Sequence, residues 1–171
     1  MTGPRSYGAP VCLTGVDDGR LPGIYVLLFG MAKETTITIG RLGKLSFPAG
    51  WYAYVGSGMN GVGNRVSRHL RPHERPHWHL DYLLPSGTAA AAIIGFTPDR
   101  LECQLAGRLG QRLSVFRRFG SSDCHCAGHL FHGGALEPIA DMSLDAMRGL
   151  GCEPLVLAAL ADHREASGYP A

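Results

Sequence analysis

Two tripeptides, Gly23-Ile24-Tyr25 and Tyr54-Val55-Gly56, constrain this chain more than any other feature. The first lies in the run Leu21 to Phe29, whose unbroken apolar and β-branched character reads as a buried strand. The second closes Trp51 to Val55, a short aromatic run of the same kind. Each tripeptide sets one tyrosine hydroxyl close to a glycine, where a ligand can come near the backbone. Between them Thr35 to Ile39 alternates as a half-exposed strand does. Gly40 to Gly43 reads as a turn, and Leu45 to Phe47 as the returning arm of a hairpin.

After Tyr54 the periodicity changes. Gly56, Gly58, Gly61 and Gly63 imply a loop lying against a ligand or another backbone. From Val62, Val66 and Leu70 repeat at four residues, with Arg65 and His69 four apart on a neighbouring face, so the spacing predicts an amphipathic helix that Pro72 ends. His77 to Leu84 reads as a short helix and Ala89 to Phe96 as a strand. Thr97-Pro98-Asp99 looks like a helix start, with Leu101, Leu105 and Leu109 as its apolar stripe and Glu102 at the edge of that stripe. Val115 to Phe119 reads as a strand, Gly120 to Gly134 as a Ser/Gly/Cys/His-rich loop, and Glu153 to Glu165 as a helix. The sequence therefore divides into an arm over 1–20, one α+β domain over 21–150, and a C-terminal helix and tail over 151–171.

A chain of 171 residues with 45% hydrophobic and 18% charged residues can bury a real core. No apolar run is long enough to cross a membrane, and Met1 to Pro10 lacks a secretory pattern, so the expected location is cytoplasmic. That location argues against a disulfide framework for Cys12, Cys103, Cys124, Cys126 and Cys152. The net charge of +2 is too small to imply nucleic acid by itself. Its distribution is more telling. Arg65, Arg68, Arg71 and Arg75 crowd together with His69, His73, His77 and His79, in a chain that has lysine only at positions 33 and 44. Arginine's planar fork suits phosphate better than lysine's point charge.

Taken together, these residues resemble the GIY-YIG nuclease superfamily, and in particular its small stand-alone Uri-type endonucleases. Gly23-Ile24-Tyr25 matches the first half of the motif, and Tyr54-Val55-Gly56 matches the second with Val for Ile. Phe47 to Ser57, His77 to Leu84 and Gly120 to Cys124 look like Uri-type signatures. The resemblance spans roughly Leu21 to Phe131. It implies a small central antiparallel sheet of three strands flanked by helices, here with an extra hairpin between the two motif strands. Many superfamily members carry an asparagine after the acidic residue. This chain has asparagine only at Asn60 and Asn64, and Ser121, Ser122, Asp123 and His129 are the candidates to replace it.

The resemblance implies a metal-dependent endonuclease that hydrolyses DNA and leaves a 5′-phosphate and a 3′-hydroxyl. Glu102 would ligate a single Mg²⁺ or Mn²⁺, and Arg65 would stabilise the scissile phosphate. Tyr25 and Tyr54 are both candidates for the base or for holding the water. A phenol with a pKa near 10 needs help in that role, and His69, on the Arg65 face, is the candidate proton acceptor. Gly56, Ser57, Arg68 and His79 are candidate substrate contacts. His77, His79 and Asp81 read as a second polar cluster, in its bland form a structural His–Asp pair. The Cys124-x-Cys126-x-x-His129 spacing lies outside common zinc patterns, so buried free thiols are expected there in preference to a structural zinc, with Cys103 or His132 as further ligands if a zinc is bound. Targeting would come from a partner protein or another domain. The alternatives are a nucleic-acid-binding module without cleavage and a zinc-stabilised interaction domain.

Overall fold

The computed structural model describes residues 19–71 and 75–158, so most of the expected arm, Pro72 and the segment after Ala158 lie outside it. Its centre is the antiparallel pairing of β1 (Gly23–Met31) with β4 (Gly50–Gly58). β5 (Thr88–Phe96) adds to the other edge of β1, with one register irregularity between Leu28 and Phe29. These three strands form the expected centre, but the sheet is wider than three. β6 (Ser114–Phe116), β7 (Leu130–Gly133) and β8 (Pro154–Ala158) extend it to six in the order β6-β7-β4-β1-β5-β8. β2 (Thr35–Ile39) and β3 (Gly43–Phe47) form the separate hairpin that the alternation predicted, joined by a short 3-10 turn.

Alternation along the strands sends side chains to two faces. Tyr25, Leu27 and Phe29 share one face with Tyr52 and Tyr54. There they pack under Val62 and Val66 of α1 (Val62–His69), Leu80 and Leu83 of α2 (His79–Leu83), and Ile39 and Phe47 of the hairpin. Ile24, Val26, Leu28, Ala53 and Val55 face the other way, toward Leu105 and Leu109 of α3 (Glu102–Gly110) and Ile139 and Met147 of α4 (Leu136–Arg148). The sheet is thus buried on both sides, which is why β1 lacks the polar alternation of a solvent-facing strand. Each fully buried large apolar side chain contributes about 1.5–3 kcal/mol. No helix among the described residues is long and apolar enough to cross a membrane.

Three local expectations give way to tertiary context. The predicted helix from Glu153 begins as β8, because the open edge of β5 offers hydrogen-bonding partners that outweigh helix propensity. The loop read over 120–134 contains β7, which pairs with both β4 and β6. Finally, α3 starts at Glu102, later than the Thr97 cap implies. The Thr97 hydroxyl instead accepts the Asp99 amide within a turn that precedes the helix.

Gly56 is the tightest position in the sheet. Tyr25 sits opposite it, and a Cβ there would lie 2.3 Å from the phenol carbon and oxygen of Tyr25. The expected glycine-rich loop is therefore partly strand, and the space over Gly56 is filled by a tyrosine. Gly56→Ala is expected to lower stability by about 1–3 kcal/mol through overpacking. Gly107→Ala, on α3 with nothing within 4 Å of the new methyl, is expected to raise it by about 0.5–1 kcal/mol. Urea unfolding of the two variants checks both signs.

Candidate active site

Helix α1 carries Arg65, Arg68 and His69 across the face that holds the two motif tyrosines. His69 is buried, with its ring centroid 6.0 Å from Tyr25 and 6.1 Å from Tyr54. The tyrosine rings are themselves 6.4 Å apart. The Tyr25 hydroxyl lies 2.9 Å from His69 Nε2, and His69 Nδ1 lies 3.1 Å from Asp81 Oδ1. A carboxylate can only accept, so the proton sits on Nδ1 and Nε2 receives the Tyr25 O–H. The chain Tyr25–His69–Asp81 joins β1, α1 and α2.

Asp81 is the hub of this arrangement. It accepts the backbone amides of His77 at 2.9 Å and Trp78 at 3.1 Å, and both terminal nitrogens of Arg68 at 3.2 Å. Burial alone would raise its carboxyl. The amides of His77 and Trp78, with Arg68 and His69, bring it down to about 2. For His69 burial dominates and lowers the imidazole to about 4, against the pull of Asp81, so the ring is neutral at pH 7. Sequence reading placed Asp81 with the neighbouring histidines, but its imidazole partner among the described residues is His69, brought in by the approach of α1 to α2.

Burial pushes the Tyr25 phenol well above its ordinary value, with Tyr54 adding to the rise and Arg65 opposing it. Tyr54 is raised first by burial and then by the Glu102 carboxylate, again against Arg65. The Tyr54 hydroxyl has no hydrogen-bond partner among the described residues and is not fully enclosed. Tyr52, by contrast, donates to the Pro48 carbonyl at 2.5 Å and is structural. Gly120, at φ +72°, packs its backbone onto the Tyr54 ring, where a Cβ would come within 2.9 Å.

The predicted contact residues divide by what already holds them. Arg65 and Arg68 both stack on Trp78, at 4.3 and 3.9 Å from the ring centroid. Arg68 is also tied to Asp81, whereas the Arg65 guanidinium has no hydrogen bond among the described residues and its charge reaches both phenols. His79 accepts the Gly120 amide at 2.9 Å and so pins the turn beside Tyr54. Ser57, sent to the other face by strand alternation, donates to Glu102 Oε2 at 2.5 Å. Glu102 Oε1 lies 2.9 Å from Nδ1 of the buried His129, out of line for a hydrogen bond. Burial opposes ionisation of Glu102, but His129, Ser57 and Arg65 together hold its carboxyl below the usual glutamate value.

Trp78 serves as the platform for both arginines. The ligand atoms of Cys103, Cys124, Cys126 and His129 all lie within 4.8 Å of one another. Of the two further candidates, Cys103 and His132, it is Cys103 that joins Cys124, Cys126 and His129, brought from α3 by folding.

A family model, described as a domain of unknown function, DUF123, matches residues 24–152, and the chain belongs to that family. No curated protein and no solved structure matches the chain.

The buried His69–Asp81 pair predicts acid sensitivity. His69 has a lower pKa folded than unfolded, so its contribution is complete above about 6.5 and is lost as pH falls toward 4. That loss amounts to about 3 kcal/mol. Asp81 is also depressed, so its share is present above about 3.8 and is lost as pH falls toward 2. Urea midpoints measured from pH 7.5 to 4 should fall, and His69→Gln should flatten that fall.

Proposed function

We propose that this DUF123-family chain is a metal-dependent endonuclease that hydrolyses phosphodiester bonds in DNA. The observation that carries the reading is the Tyr25–His69–Asp81 chain. In it a phenol donates to an imidazole that is neutral at pH 7 and whose other nitrogen is held by a buried, ionised carboxylate. This is the nucleophile–base–orienter logic of hydrolases, with water as the attacking group. Tyr25 takes the proton of the attacking water as its own proton passes to His69 Nε2, and Asp81 stabilises the imidazolium that forms. The Tyr54 hydroxyl, without a hydrogen bond among the described residues, orients the water. Arg65, with its guanidinium uncommitted to any hydrogen bond among the described residues, binds the non-bridging phosphate oxygens as charge develops.

Glu102 suits a single divalent ion. Its carboxyl is kept ionised, the Ser57 hydroxyl fixes its direction, and its side chain remains 27% exposed. Mg²⁺ binds well to one carboxylate while keeping much of its water, and when bound it polarises the phosphate and assists the leaving oxygen. A second reading, a nucleic-acid-binding module without cleavage, is favoured by the absence of any asparagine after Glu102.

Plasmid nicking with Mg²⁺ or Mn²⁺ distinguishes the two. Cleavage is expected from the natural chain. Arg65→Ala and Glu102→Ala should each reduce it by about 100-fold or more, and Tyr25→Phe by a similar factor. If no metal and no substrate form gives nicking, the enzyme reading fails. Retained binding with a steep salt dependence would then mark the binding module.

A further inference from the structure

We propose that Cys103, Cys124, Cys126 and His129 form a closed structural zinc site. Three thiolates and one imidazole, with no open position, are the donor set of structural zinc, and soft sulfur ligands select it over Mg²⁺. Cys124 Sγ lies 3.5 Å from His129 Nε2, close to the edge of about 3.6 Å that a tetrahedron with ordinary Zn–S and Zn–N bonds would have. His129 is 1% exposed and its Nδ1 has no hydrogen bond among the described residues. An imidazole bound to metal through Nε2 must carry its proton on Nδ1. That nitrogen lies 2.9 Å from Glu102 Oε1, so a small turn of the ring on metal binding would complete the carboxylate–histidine–metal arrangement common around zinc.

The surrounding chain has reason to need such a tie. Ser121 to Ala127 forms no strand or helix. The segment is closed at its base by Arg118 N–H to Ala127 C=O and His129 N–H to Phe119 C=O, both at 2.7 Å. A metal joining its tip to Cys103, in the first turn of α3, would fix this segment beside Glu102 where few apolar side chains are available to do so. Binding releases the thiol protons to solvent and involves no redox change. The proposal does not rest on the nuclease reading, although His129 also lies beside Glu102.

The test uses the full chain purified under reducing conditions. Metal analysis is expected to find about one zinc per chain. After stripping, Co²⁺ should restore a tetrahedral spectrum with thiolate-to-cobalt charge-transfer absorption. Cys124→Ser combined with Cys126→Ser should abolish both signals, and Cys152→Ser should leave both intact. Sub-stoichiometric zinc after loading, a cobalt spectrum without thiolate bands, or a disulfide among these cysteines in the reduced preparation would overturn the proposal. If the double variant does not fold, the cobalt titration of the natural chain decides alone. None of these readouts depends on cleavage, so loss of nicking with an intact cobalt spectrum would count against the nuclease reading only.

Discussion

The cross-strand fit of Tyr25 against Gly56 governs the rest of the site. Antiparallel pairing puts the two tripeptides side by side, and the missing Cβ at Gly56 allows the Tyr25 ring to lie over the neighbouring strand. From there the hydroxyl reaches His69. A side chain at position 56 would displace the phenol and break the first link to Asp81. The glycine of the second tripeptide is best understood as space for the tyrosine of the first.

Asp81 supplies the other constraint. Its carboxylate ties the end of α1 to the start of α2 through Arg68, His69 and the two amides before the helix. A buried carboxylate is costly unless its oxygens are satisfied, and here they are. The same bonds fix the imidazole tautomer and aim its acceptor nitrogen at Tyr25. Arg68 spends its charge on this hub, which leaves Arg65 as the cation facing the phenols. The two arginines share a Trp78 platform but have different electrostatic tasks, a distinction that their spacing on one helix does not reveal.

On the opposite face, Ser57 and His129 converge on Glu102 because strand alternation turns Ser57 toward the first turn of α3 and β7 delivers His129 beside it. The catalytic carboxylate of the nuclease reading and the histidine of the zinc proposal are therefore neighbours. A metal at the cysteine cluster would bear on Glu102 through one imidazole.

The sequence by itself determined the local elements with strong periodic signals: the apolar runs around the tripeptides, the alternating hairpin, and the helix that sets Arg65 and His69 four residues apart. These rest on backbone periods and on turn residues, which act over a few neighbours. Tertiary structure alone decided the outcomes that depend on long-range partners. The open edge of β5 made a strand where Leu155 to Leu157 could have been helical, and β4 and β6 drew β7 out of a loop-like segment. The approach of the end of α1 to the start of α2 brought His69 onto Asp81 as well. The placement of α3 brought Cys103 to Cys124, Cys126 and His129, a proximity that depends on distance in space and not on spacing along the chain.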